Sequence, residues 1–112
     1  MSLTLRTALG CTEAVIDDDA ELNRFYLIAD ILKTDFQVQF TNKEDNFNDI
    51  NWDFSFGKHL LTLCYSIYNG VSLFPTRMQE ASKRANEAVV ELANVLEGKL
   101  ISIDFKNQVK VN

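Results

Sequence analysis

Apolar and polar residues alternate with different periods along this chain, and the changes of period divide it into elements. Leu3 to Thr7 and Thr12 to Ile16 alternate as strands do, with one of the two expected to be paired. From Asp18 the period becomes helical. Asp18 and Glu21 have the spacing of a capping box, and Leu22, Phe25, Ala29, Leu32 and Phe36 then form one stripe. At Phe36 the period returns to two, with Phe36, Val38 and Phe40 alternating against Gln37, Gln39 and Thr41, so a half-buried strand is predicted there. Asn42 to Asn51 reads as a polar loop.

The strongest pairing signal follows. Trp52, Phe54 and Phe56 alternate up to Gly57-Lys58, and a second alternating stretch runs from His59 to Tyr68. A two-residue turn at Gly57-Lys58 pairs Phe56 with His59, Phe54 with Leu61 and Trp52 with Leu63, which places the large residues of both strands on one face. Asn69-Gly70 suits a second two-residue turn, and Val71 to Phe74 returns as a strand ended by Pro75. This register assigns Trp52, Phe54, Phe56, Leu61, Leu63, Tyr65, Ile67 and Phe74 to the core face.

Thr76 and Gln79 repeat the capping-box spacing, and Met78, Ala81, Ala85, Ala88, Leu92 and Val95 predict a second helix that Gly98 closes. The tail from Leu100 to Asn112 alternates again about Lys106-Asn107, so residues 99–112 are expected to add a final strand. The architecture predicted is α+β in a single domain, 1–112. A mostly antiparallel sheet of four to six strands carries two helices on one face, in the order β-α-β-β-β-β-α.

Composition supports a folded chain. Of 112 residues 46% are hydrophobic, eight are Phe, and only one is Pro, which excludes the low hydrophobicity of disorder. The longest apolar run, Phe25 to Ala29, is far short of a bilayer span, and Met1 to Gly10 has no continuous apolar segment of a secretory signal. Cys11 and Cys64 are too few for a disulfide framework, so reduced thiols and a cytoplasmic location are expected. The net charge of −5 argues against nucleic acid, which needs clustered cations. That charge is uneven, because residues 1–56 hold eleven acids and four bases while residues 57–112 hold five acids and seven bases.

The candidate chemistry is thin. Asp17-Asp18-Asp19 has the look of a metal cluster, yet acids at a helix start are stabilised by the helix dipole without any ion. His59, Cys64 and Asp53 offer a nucleophilic set, but an odd separation puts His59 and Cys64 on opposite faces of one strand, about 17 Å apart. The Asn42 to Asp49 loop is rich in oxygen ligands, but Phe47 stands where a calcium loop needs Gly. Asp17, Asp30, Asp35 and Asp53 are carboxylates that no spacing brings together as an acid-base pair. No phosphate loop or paired-cysteine motif is present, so no catalytic residue, metal or cofactor is assigned.

The unexplained surface is the rear of the sheet. In the predicted register it carries Gln37, Gln39, Asp53, Ser55, Leu60, Thr62, Cys64, Ser66, Tyr68, Val71 and Leu73, of which one is charged. A sheet face open to water is usually more polar. Leu60, Thr62, Cys64, Ser66, Tyr68, Val71 and Leu73 are therefore the candidate interface of a small non-enzymatic interaction protein, self-associating as a homodimer or through the tail edge. An acidic regulator of a basic protein, in the manner of an antitoxin or immunity protein, is the more specific form that the charge split suggests. The competing function is ligand binding or catalysis in an aromatic pocket between sheet and helices, lined by Trp52, Tyr65 and Tyr68.

Overall fold

The Gly57-Lys58 turn organises the sheet as its sequence predicts. In the computed structural model, which describes residues 3–19 and 21–109 with side chains to residue 106, β4 (Asp49–Phe56) and β5 (His59–Ser66) flank that turn. They pair Phe56 with His59, Phe54 with Leu61 and Trp52 with Leu63. The expected α+β class holds. Six strands form one antiparallel sheet in the order β1-β2-β6-β5-β4-β3, and two helices cover one of its faces.

Both N-terminal segments are strands, where one was expected to pair. β1 (Thr4–Ala8) and β2 (Cys11–Asp17) form a hairpin through Leu9-Gly10, both at positive φ. An asparagine of α2 (Lys83–Val109) holds this hairpin from outside the sheet. The Asn86 Oδ1 accepts the Thr12 N–H at 3.0 Å, and its Nδ2 donates to the Gly10 carbonyl at 2.6 Å. One side-chain amide thereby continues the hydrogen-bond ladder of β2 past the end of β6 (Gly70–Pro75).

The first helix, α1 (Leu22–Asp35), starts later than the Asp18 cap implied, with Glu21 at its N-cap making no side-chain bond. The Asp17 carboxylate instead accepts the Asp19 N–H at 3.2 Å, so this short acidic run forms a side-chain-stabilised turn before the helix. Beyond α1 the first part of the strand predicted from Phe36, residues 36–39, is irregular chain, and only Phe40 and Thr41 of it are in a strand. Gln37 takes φ of +56°, and the Val38 N–H returns to the Leu32 carbonyl at 3.2 Å, which tucks Val38 into the core. β3 (Phe40–Asp45) begins at the end of that predicted strand and runs into the segment read as a loop. It is an edge strand whose residues after Phe40 are exposed, so its burial does not alternate, and its charges protect the open edge.

The β5–β6 connection shifts the frame. Ser66 pairs with Gly70, leaving the three residues Ile67, Tyr68 and Asn69 as the loop in place of a two-residue Asn-Gly turn. Gly70 has φ of +75°, and a Cβ there would collide with the Asp17 carbonyl oxygen, so only glycine fits. Val71 thereby stands opposite Tyr65 and not Tyr68, a shift by an odd number of residues that turns β6 over. Val71 and Leu73, expected on the rear, are fully buried against the helices, while Phe74, expected in the core, faces the rear opposite Thr62. Ile67, also expected in the core, is exposed in the loop.

The chain between β6 and α2 makes a 3₁₀ turn at Met78–Glu80, and Ser82, not Thr76, caps α2 by accepting the Ala85 N–H at 3.0 Å. The buried stripe is Ala85, Ala88, Val89, Leu92, Ala93, Leu96 and Leu100, so Met78 and Val95 lie outside it. Gly98 does not stop the helix, which continues to Val109. The expected tail strand is therefore helical over residues 99–109, and its last three positions, 110–112, lie outside the described residues. Leu100 and Ile103 explain the choice, since they extend the stripe of Leu96 at helical spacing onto the core.

The core is aromatic under α1 and aliphatic under α2. Phe25 enters edge-on between Trp52 (centroids 5.0 Å apart) and Tyr65 (6.4 Å), and Phe40 continues the cluster to Trp52 and Phe54. Arg24 joins three elements, with Asp17 at 3.5 Å at the end of β2 and Asp104 at 3.2 Å on α2. At the far end of α1, Asp35 meets Lys99 of α2 at 2.9 Å.

Candidate functional site

Parity along each strand decides which side chains stand on the face that the helices leave bare. On β5 these are Leu60, Thr62, Cys64 and Ser66, which the sequence had placed there. On β4 they are Asp49, Asn51, Asp53 and Ser55, and on β6 they are Ser72 and Phe74. β2 adds Cys11, Glu13 and Val15, and the edges add Arg6 from β1 with Asn42 and Glu44 from β3. Three of the seven predicted interface positions lie elsewhere. Val71 and Leu73 are core, and Tyr68 is in the loop at the end of the sheet.

The centre of this face consists of small side chains nested between larger ones. Thr62 and Ser72 are each 3% exposed, and Val15 and Cys11 are buried as well. Leu60, at 40% exposure, and the half-buried Phe74 are the apolar groups that reach water. Arg6 pairs with Glu13 across β1–β2 at 4.0 Å, Glu44 lies on edge strand β3, and Asp49 and Asp53 stand on β4 beside β5. Only Asp53 was expected here, because β1, β2, β3 and the start of β4 were not placed on this face.

A chain of hydrogen bonds crosses the middle. The Thr62 hydroxyl donates to Asp53 Oδ1 at 2.7 Å, so its oxygen is left to accept from Thr76 at 2.7 Å, and Asn42 Nδ2 donates to Asp53 Oδ2 at 3.3 Å. Burial pushes the Cys64 thiol up to about 11, opposed by Ser72, which stands across from it on β6, and aided by Asp49 and Glu13. Burial raises Cys11 too, with Glu13 contributing. Both thiols are therefore protonated and poorly nucleophilic at neutral pH.

The other candidates are not assembled into a site. His59 shares the helix-side face with Leu61 while Cys64 lies on the rear, so the imagined Cys-His-Asp set is split by the sheet. Asp17 is committed to Arg24, and no group of three potential metal ligands occurs among the described residues. Of the residues expected to line an aromatic pocket, Trp52 and Tyr65 both pack edge-on against the ring of Phe25, while Tyr68 is exposed in the β5–β6 loop. A cavity of about 400 Å³ instead opens between the start of α1 and α2, lined by Asp17, Arg24, Leu27 and Asp104 among others. Its arginine is already neutralised by the two aspartates.

Among the described residues no helix is long and apolar enough to cross a membrane. Comparison with protein-family models, with curated proteins and with solved structures found no match.

Proposed function

We propose that this chain is a non-enzymatic interaction module whose bare sheet face associates with a second copy of itself. The observation that carries this reading is that the polar groups Thr76, Thr62, Asp53 and Asn42 in the middle of the face are bonded to one another beside exposed Leu60 and half-buried Phe74. Groups that already bond one another can be covered at less cost than unpaired ones, which favours an interface at this place. Apolar Leu60 and Phe74 on the two central strands, with Arg6, Glu13 and Glu44 on the strands toward the edges, also follow the core-and-rim pattern of protein interfaces.

Sedimentation equilibrium across a wide dilution series tests it. The mass should rise above 12.8 kDa with concentration, and Leu60→Glu should suppress that rise while leaving the melting temperature nearly unchanged. A mass of 12.8 kDa at every concentration would exclude self-association.

A further inference from the structure

Three connections meet at the end of the sheet where β5 runs into β6. The loop of Ile67, Tyr68 and Asn69 is central. On one side the Ile67 N–H donates to the Asn48 carbonyl at 3.3 Å, which ties it to the β3–β4 turn. On the other side Gly70 lies against the Asp17 carbonyl, which ties it to the turn before α1. The tips of these adjoining turns are apolar and bare. Phe47 is 99% exposed, Tyr68 75% and Ile67 56%.

Turn geometry does not ask for such residues, since Asn, Asp, Gly and Ser form these connections at no hydrophobic cost. The acids are distributed on both sides of the apolar tips. Glu44, Asp45 and Asp49 stand on the β3–β4 side, and Asp18, Asp19 and Glu21 on the side of β2 and α1. Of the nearby cations, Arg24 is paired with Asp17 and Asp104, and Lys43, with its Nζ 4.3 Å from the Trp52 ring centroid, keeps its charge but is outnumbered by these acids.

We infer that this end of the sheet is a docking site for a basic segment of another protein that carries apolar residues among its lysines or arginines. Charge selects the occupant. A second copy presenting the same end would set acids against acids, and nucleic acid or an anionic lipid surface would be repelled. Apolar tips between two acidic borders match a chain in which cations flank apolar anchors, with the tips supplying burial and the borders supplying steering.

The test uses three synthetic peptides of equal length, alternating lysine with leucine, lysine with serine, or glutamate with leucine, titrated into the full chain and followed by backbone amide NMR. The lysine-leucine peptide should shift amides at residues 17–19, 46–48 and 67–70, with a Kd that rises steeply with salt. The Phe47→Ser/Tyr68→Ser double variant should weaken it by about tenfold or more. These side chains are exposed, so an unchanged melting curve shows that the variant is folded. The inference fails if the lysine-serine peptide binds equally well, if the glutamate-leucine peptide binds, if the shifts fall elsewhere, or if the double variant binds as the parent does. Repeating the titration with Leu60→Glu separates this end from the bare face, because that substitution leaves the tips and both acidic borders intact.

Discussion

The two faces of the sheet are built from the same six strands and are stabilised by different means. The helix side is held by volume. Phe25, Phe54, Leu61, Leu63, Leu73 and Leu92 are all fully buried there, and each such side chain contributes roughly 1.5–3 kcal/mol by leaving water. The bare side has short side chains at its middle, with Thr62 bonded to Asp53 and Thr76, and with Thr62 and Ser72 almost as inaccessible as the core although neither belongs to the core under the two helices. Low exposure alone therefore does not identify the core of a sheet. Neighbouring side chains on a pleated surface can shield small residues, and only the register distinguishes that shielding from coverage by a second layer.

The sharpest way to break this contrast is to place the same charge on each face. Leu73→Glu buries a carboxylate with no partner and should abolish cooperative folding, whereas Leu60→Glu should move the melting temperature little. Equal effects in thermal melts would mean that β6 is in the other register. Next in size, Phe25→Ala empties the position between Trp52 and Tyr65 and should cost about 3–5 kcal/mol in urea unfolding, with an altered near-ultraviolet signal from the tryptophan. On the bare side, Thr62→Val keeps the volume but removes the donor to Asp53 and the acceptor for Thr76. It should cost about 1–2 kcal/mol by the same measurement.

The smallest effect expected is at the junction of the two helices. The hydrogen bond from Lys99 holds the Asp35 carboxyl below its ordinary value of about 3.8, so the folded chain binds the proton less readily than the unfolded one. Stability from this contact is fully present above that pH and is lost as the pH falls through the lower folded value. Melting temperatures of the parent and of Asp35→Asn should thus differ by a constant small amount above pH 4 and converge in stronger acid. Divergence toward acid would mean that Asp35 is not held by Lys99.

Legibility followed the range of the interactions. The β4–β5 hairpin was readable pair by pair, because Gly57-Lys58 and the alternation on either side of it are local and agree with each other. From the bare face, Leu60, Thr62, Cys64 and Ser66 were readable for the same reason, since they belong to that hairpin. Val71, Leu73 and Phe74 were misplaced because Asn69-Gly70 fits both a two-residue and a three-residue loop. The choice depends on Gly70 resting against Asp17, more than fifty positions away in the chain. β3 was missed because an edge strand that buries little shows no alternation, and the tail was misread because alternating Ile101, Ile103 and Phe105 also occurs on a helix with exposed apolar residues. Exposed Phe47 left a visible signal, an aromatic residue within an otherwise polar turn.

By itself the order of residues determined the class of fold, the central hairpin and the presence of two amphipathic helices, because periodicity and turn chemistry act over a few neighbouring positions. Tertiary structure alone decided which way β6 faces, that the last helix runs on past Gly98, and which ends of the strands gather their acids and aromatics. Those outcomes depend on burial against elements distant in sequence, and a side chain's local pattern carries no record of what will be packed upon it.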